Sequence, residues 1–302
     1  MNQPLQADVS AGFERSWEEV RWPLRHMTLA GLHWPAADHA REGVPVVMLH
    51  GWLDNSLSFA RLAPELTSFG DVWALDMAGH GLSDHRPEGQ SYLLADYVAD
   101  LAELLDTHFE SPVDLVGHSL GGIVAMLYTA AFPEKVRRLV MIDSLGPITK
   151  SPEETVSQLR KGILKRLSGS GKSAGYPTID DAAAARTGGR NPLSPEVARL
   201  LVSRNLKTSG NGYEWCTDPR LRHPSMMVFA EQQALACLEA VETRSLLLRA
   251  ADGLLGDRSR WETRLGAMPG LTEVVISGSH HCHLDGDTGP VSRAIKAFLD
   301  DV

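Results

Sequence analysis

Cysteine is scarce in this chain. Its three residues, Cys216, Cys237 and Cys282, are odd in number and lack C-x-x-C spacing, so neither a disulfide framework nor a zinc site is expected. Positive charge is also short: 29 Lys and Arg face 38 Asp and Glu, for a formal net charge of -9. Arginines such as Arg220 and Arg222 occur, but they form no long basic run. Nucleic-acid binding needs clustered cations that displace counterions from phosphates, and such a partner is therefore not expected. No apolar run reaches the ~18 residues that a membrane-spanning helix requires. Met1 to Ser10 lack a charged segment followed by an apolar one, so no export signal is read and a reducing cytoplasm is the simplest expected location.

What remains is an ordinary folded chain, 302 residues with 43% hydrophobic and 22% charged. That length suits one main core with an insertion. Monomer and homodimer are both open. Short apolar runs bounded by Gly, Asp and Pro recur at Val44 to Leu49, Val72 to Asp76, Val113 to Val116, Leu139 to Ile142, Ser245 to Leu248 and Glu273 to Ile276. Helical spacing lies between them, at Tyr92 to Phe109 and Leu120 to Phe132. This alternation predicts an α/β fold around a mostly parallel sheet with helices on both faces. Trp22 to Trp34 reads as an antiparallel hairpin at the sheet edge, preceded by a dozen residues expected to be mobile. From about 145 to 233 the alternation breaks, and this stretch is predicted to be a mainly helical cap inserted between core segments 1–144 and 234–302. Such an insertion would sit over the carboxyl ends of the strands, where open α/β sheets bind ligands.

The segment Val113-Asp-Leu-Val-Gly-His-Ser-Leu-Gly-Gly122 contains G-x-S-x-G, with a strand before it and a helix after it. Glycines on both sides allow a sharp turn that presents Ser119 at a helix N-terminus, where developing negative charge is favoured. A serine hydroxyl is a weak nucleophile and needs a base within hydrogen-bond reach. In this arrangement the base comes last in the chain. Just beyond the final predicted strand stands Gly278-Ser-His-His-Cys-His283, and His280, first after the turn, is the expected base. His281 and His283 are assigned packing or supporting roles, since i, i+1, i+3 histidines in a loop lack the spacing of helical metal-ligand pairs. A tetrahedral intermediate also needs donors for its oxyanion. The backbone N–H groups of Leu120 and of Trp52, in the loop Leu49-His-Gly-Trp-Leu-Asp-Asn55, are the expected pair. Gly51 would let backbone approach substrate without a Cβ, and His118 would help shape the pocket. Phe59 could line an acyl pocket or pack beneath the cap; Asp76 is read as holding the Gly79-His80-Gly81 turn.

With these residues assembled, the chain resembles the α/β-hydrolase superfamily over nearly its whole length and is especially similar to the serine hydrolase-like proteins. The carriers are Leu49-His-Gly-Trp-Leu-Asp-Asn-Ser56, Asp76-Met-Ala-Gly-His-Gly-Leu-Ser83, Gly117-His-Ser-Leu-Gly-Gly122, Trp215-Cys-Thr-Asp-Pro-Arg-Leu221 and Gly278-Ser-His-His-Cys-His283. The resemblance implies a serine triad under a cap, no cofactor and no metal, acting on a small ester-like substrate or, alternatively, on a carbon–carbon bond. A hydrolase-fold protein that binds a small ligand without turnover is the non-enzymatic alternative. It places Trp215 either against substrate or beside an Asp–Arg pair that fixes the cap. One departure stands out. The resemblance leads to Gly-x-x-Asp after the strand at Ser245 to Leu248, but the chain reads Arg249-Ala-Ala-Asp-Gly-Leu254, with glycine where the acid is expected. Asp252 lies one position early, and Asp143, at the end of the strand after the nucleophile helix, is the other choice; both remain open.

Overall fold

Each short apolar run becomes a strand because alternate side chains must be covered on both faces. In the computed structural model, which describes residues 16–38, 40, 43–171, 173–188 and 191–301, the strands join in one eight-stranded sheet. The hairpin of β1 (Glu18–Pro23) and β2 (Thr28–Trp34) forms one edge; the first dozen residues lie outside the described residues. There follow β3 (Val46–Leu49), β4 (Val72–Asp76), α1 (Leu94–His108), β5 (Val113–His118), α2 (Leu120–Ala131) and β6 (Val136–Ile142). After the insertion come α6 (Glu231–Glu239), β10 (Ser245–Asp252), α7 (Glu262–Ala267), β11 (Leu271–Ser279) and α8 (Gly289–Asp300), the intervening numbers belonging to the insertion. Strand order is β1-β2-β4-β3-β5-β6-β10-β11, antiparallel at the β1, β2 and β4 edge and parallel thereafter.

Two apolar clusters sandwich the sheet, and they divide its residues by strict alternation. Val46, Met48, Val140, Ile142, Leu246 and Leu248 point into one, with Ile295 and Phe298 of α8. Val47, Leu49, Leu139, Met141 and Leu247 point into the other, with Leu101 of α1, Val124 of α2 and Leu238 of α6. The strand order reverses on either side of β3, so the loops after β3 and β5 part there and leave a crevice at the carboxyl ends of the sheet.

Between β6 and α6 lie α3 (Thr155–Ser168), β7 (Gly175–Tyr176), α4 (Ile179–Arg186), α5 (Pro195–Ser203), β8 (Leu206–Ser209) and β9 (Gly212–Trp215). The cap is therefore less helical than the sequence suggests, since β7, β9 and β8 form a three-stranded antiparallel sheet. Its hairpin pairs Ser209 with Gly212 around Gly210 and Asn211, and Gly210 adopts φ 58. A two-residue loop with positive φ is a tight hairpin turn, and that glycine–asparagine signal was available in the sequence. Among the described residues no helix is long and apolar enough to cross a membrane.

Candidate active site

β5 ends at His118 and α2 begins at Leu120, so one residue turns the chain from sheet to helix. Ser119 makes the turn at φ 50 and ψ -116, a left-handed conformation that costs a residue with a Cβ free energy and persists only when its surroundings enforce it. They do so by close approach. A Cβ at Gly117 would stand 2.5 Å from the Gly121 carbonyl oxygen and the Gly122 nitrogen, and one at Gly121 would overlap the Leu49 carbonyl. The Ser119 N–H donates to Ile142 O at 3.2 Å, and Ser144 Oγ donates to Ser119 O at 2.7 Å. The serine thus heads α2 without capping it through its side chain.

His280 lies in the loop after β11 and is buried. Its Nδ1 is 2.7 Å from Asp143 Oδ2. A carboxylate can only accept, so Nδ1 carries a proton and donates it. Asp143 follows β6 at φ 45, and its carboxylate also accepts from the Leu254 N–H at 2.7 Å and from the Ala250 and Leu255 N–H groups at 3.3 Å. Of the two acids left open by the sequence, the structure brings Asp143 to the imidazole. Asp252 is exposed at the end of β10, in register with Ser279. Gly253 explains why the familiar position lacks an acid, because a Cβ there would overlap the Asp143 carboxylate.

Behind His280 the remaining histidines build a support. His118 Nε2 donates to the His280 carbonyl at 2.9 Å, His283 Nε2 meets Ser58 Oγ at 3.0 Å, and His281 Nε2 meets Asp54 Oδ2 at 3.1 Å. Burial pushes His118 and His283 well below the ordinary histidine range, aided by neighbouring imidazoles, so both are neutral. Burial alone would raise the Asp54 carboxyl, but His281 and Arg186 outweigh it and hold it below the usual carboxylate range. Arg186 comes from α4 of the cap and reaches Asp54 Oδ1 at 2.6 Å. The sequence assigns Asp54 no role, and its signal there is that it is the one acid in the loop Leu49 to Asn55.

Asp54, His118 and His281 are also the one trio among the described residues with metal-compatible atoms, all within 4.8 Å. A dication there would face the Arg186 guanidinium across the same carboxylate, which favours the hydrogen-bonded network over an ion.

Trp52 and Leu120 line a cleft of about 630 Å³, together with Tyr92, Tyr97, Ile123 and Phe229. Neither the Trp52 nor the Leu120 backbone N–H donates to another group among the described residues. The Trp52 ring, half exposed, donates through Nε1 to Leu221 O of the cap at 3.1 Å. Three expectations need correction. His118 is fully buried behind the imidazole and cannot shape a substrate pocket. Gly51 is buried too, and a Cβ there would lie 2.9 Å from His118 Nδ1, so its glycine makes room for that ring rather than for substrate. Trp215 packs in the cap sheet, its Nε1 3.3 Å from Tyr176 Oη, and does not line the cleft. Phe59 is likewise a core residue, beside His283. The Asp–Arg reading of the Trp215 to Leu221 segment fits the geometry: Asp218 binds Arg220 at 2.6 Å and accepts from Tyr92 Oη at 2.7 Å.

A family described as having the α/β-hydrolase fold matches residues 44–171. A serine hydrolase-like protein of Danio rerio is 32% identical over 98% of this chain and 92% of its own length. The crystal structure of a hypothetical protein from Pseudomonas aeruginosa superposes with a TM-score of 0.87 at 37% identity, covering 93% of this chain and 99% of that one. A pimeloyl-[acyl-carrier protein] methyl ester esterase of Chromobacterium violaceum is 42% identical over a shorter stretch, 40% of this chain and 45% of its own.

Proposed function

Since this chain belongs to the α/β-hydrolase superfamily, in its serine hydrolase-like group, we propose that it is a cofactor-free hydrolase of small or medium, largely apolar carboxylic esters. The observation that carries the reading is the 2.7 Å contact between His280 Nδ1 and Asp143 Oδ2, together with a serine held at positive φ between β5 and α2. Similarity to a methyl ester esterase over part of the chain supports an ester, and the apolar lining of the cleft supports an apolar acyl group.

In this mechanism Ser119 Oγ bonds to the ester carbonyl carbon while its proton passes to His280 Nε2. Asp143 fixes the tautomer and stabilises the imidazolium. The Trp52 and Leu120 N–H groups receive the oxyanion, each such donor being worth on the order of 10²–10³ in rate. Collapse breaks the bond to the alkoxide, which leaves with the His280 proton. Water then repeats the sequence on the acyl-enzyme, freeing the acid and returning a proton to Ser119.

Ser119→Ala is expected to abolish p-nitrophenyl ester turnover, a loss on the order of 10⁶ for a triad nucleophile, with an unchanged circular dichroism spectrum. A fluorophosphonate should label Ser119 in the wild type. Undiminished turnover in the variant, or an inert wild type, would refute the assignment.

A further inference from the structure

Helix α3 is amphipathic in the wrong sense for a packed helix. Its buried residues are Gln158 and Gly162, and its outward side carries Val156, Leu159, Ile163 and Leu167, at i, i+3, i+7 and i+11 on one face, with Leu164 beside them. Val156 is 76% exposed and Leu167 78%, where burial of such side chains is the norm. The inversion is built in, since Gly162 lets the helix lie close on Met226, whose Cγ would be 2.6 Å from a Cβ, and Gln158 Nε2 donates to the Ser225 carbonyl at 2.5 Å. Ile148, 80% exposed, and Met227 are further exposed apolar side chains, at the cleft that α3 meets through Gln158 and Lys161.

Charge identifies the occupant. The chain as a whole has a net charge of -9, yet α3 carries Arg160, Lys161, Lys165 and Arg166 and no acid. An outward apolar stripe flanked by cations is the composition of a helix that lies in the headgroup region of an anionic bilayer. A second copy seated face to face would bring the same cations together, and so is disfavoured. We propose that α3 docks this protein on anionic lipid surfaces through its outward apolar stripe. Docking requires no turnover and stands apart from the Ser119 chemistry.

Vesicle flotation tests this. Wild type should float with vesicles of phosphatidylcholine containing about one-third phosphatidylglycerol and bind those of phosphatidylcholine alone far more weakly. The pair Ile163→Asp and Leu167→Asp, whose side chains lie outside the cleft, should lower partitioning roughly tenfold or more while leaving turnover of soluble p-nitrophenyl butyrate unchanged. Ser119→Ala should float like wild type. Wild type that stays in the soluble fraction, or aspartate variants that float equally well, would overturn the proposal. So would a wild-type dimer in light scattering that the aspartates dissolve, since the face would then belong to a second copy.

Discussion

Gly253 and Asp143 occupy one volume: a Cβ on residue 253 would overlap the carboxylate oxygen that accepts the His280 Nδ1 proton. The carboxylate beside the imidazole stands at the end of β6, and the loop after β10 has no side chain at residue 253, which leaves room for it. That loop still takes part, through the Leu254 and Leu255 N–H groups that hold the carboxylate. Under the proposed mechanism Gly253→Ala should displace Asp143 and lower kcat, with KM for p-nitrophenyl esters changed much less. Wild-type kcat in that variant would mean that the carboxylate is not held where it matters.

The two acids separate by substitution. Asp143→Asn keeps the shape of the side chain but reverses what it asks of Nδ1, and a triad acid lost this way lowers kcat by on the order of 10³–10⁴. Asp252→Asn, at an exposed strand end, should stay within about twofold, because surface substitutions change stability by only ~0.5 kcal/mol. Steady-state kinetics on both variants decides it, and equal losses would contradict the assignment.

Asp54 gives the cap a grip on the histidine loop. It joins Arg186 of α4 to His281, next to the proposed base. Arg186→Gln leaves a buried carboxylate with His281 alone. Breaking a buried pair costs ~3–5 kcal/mol, and because the guanidinium is partly exposed the expected loss is nearer ~2–3 kcal/mol. Urea unfolding of Arg186→Gln, Asp54→Asn and the double variant measures it. A double variant less stable than the sum of the single ones would argue against direct pairing.

Acid should destabilise the fold through its buried histidines. Burial, with His50 nearby, brings His80 down from 6.5 to about 3. The folded protein then keeps this ring neutral at pH values where the unfolded chain already protonates it. Stability is accordingly complete above pH 6.5 and drains as pH falls toward 3. His80→Asn should flatten the dependence of unfolding free energy on pH in that window by up to about 1.4 kcal/mol per pH unit, one proton's share. An unchanged slope, measured by urea unfolding from neutral to mildly acid pH, would show that His80 does not titrate in this way.

The parallel core was legible because buried strands and amphipathic helices leave periodic patterns, and β4, read as Val72 to Asp76, has those bounds. The strand-to-helix turn at Ser119 and the place of His280 in the loop after the last strand were legible because glycines flank the turn and the loop follows an apolar run. Which carboxylate meets the imidazole was not, since either strand end can present one, and the 2.7 Å contact of His280 with Asp143 and the room left by Gly253 appear only in three dimensions. His118 and Gly51 were misplaced for a related reason. Sequence adjacency to a nucleophile or an oxyanion donor says nothing about which side of the strand a residue faces, and both turn inward. The cap sheet was missed because its strands span only two to four residues, too few for the alternation of Tyr213 and Trp215 about Glu214 to stand out.

Two buried ion pairs fasten the insertion to the core. Arg186 reaches Asp54 and Arg204 reaches Asp76 at 2.8 Å, and both carboxylates are fully buried. Swinging the insertion away would break both pairs, at ~2–3 kcal/mol for that of the partly exposed Arg186 and ~3–5 kcal/mol for that of Arg204. Under the proposed function, substrate would then enter by the standing opening beside Ile148 and Met227, and the breadth of that doorway would limit its size.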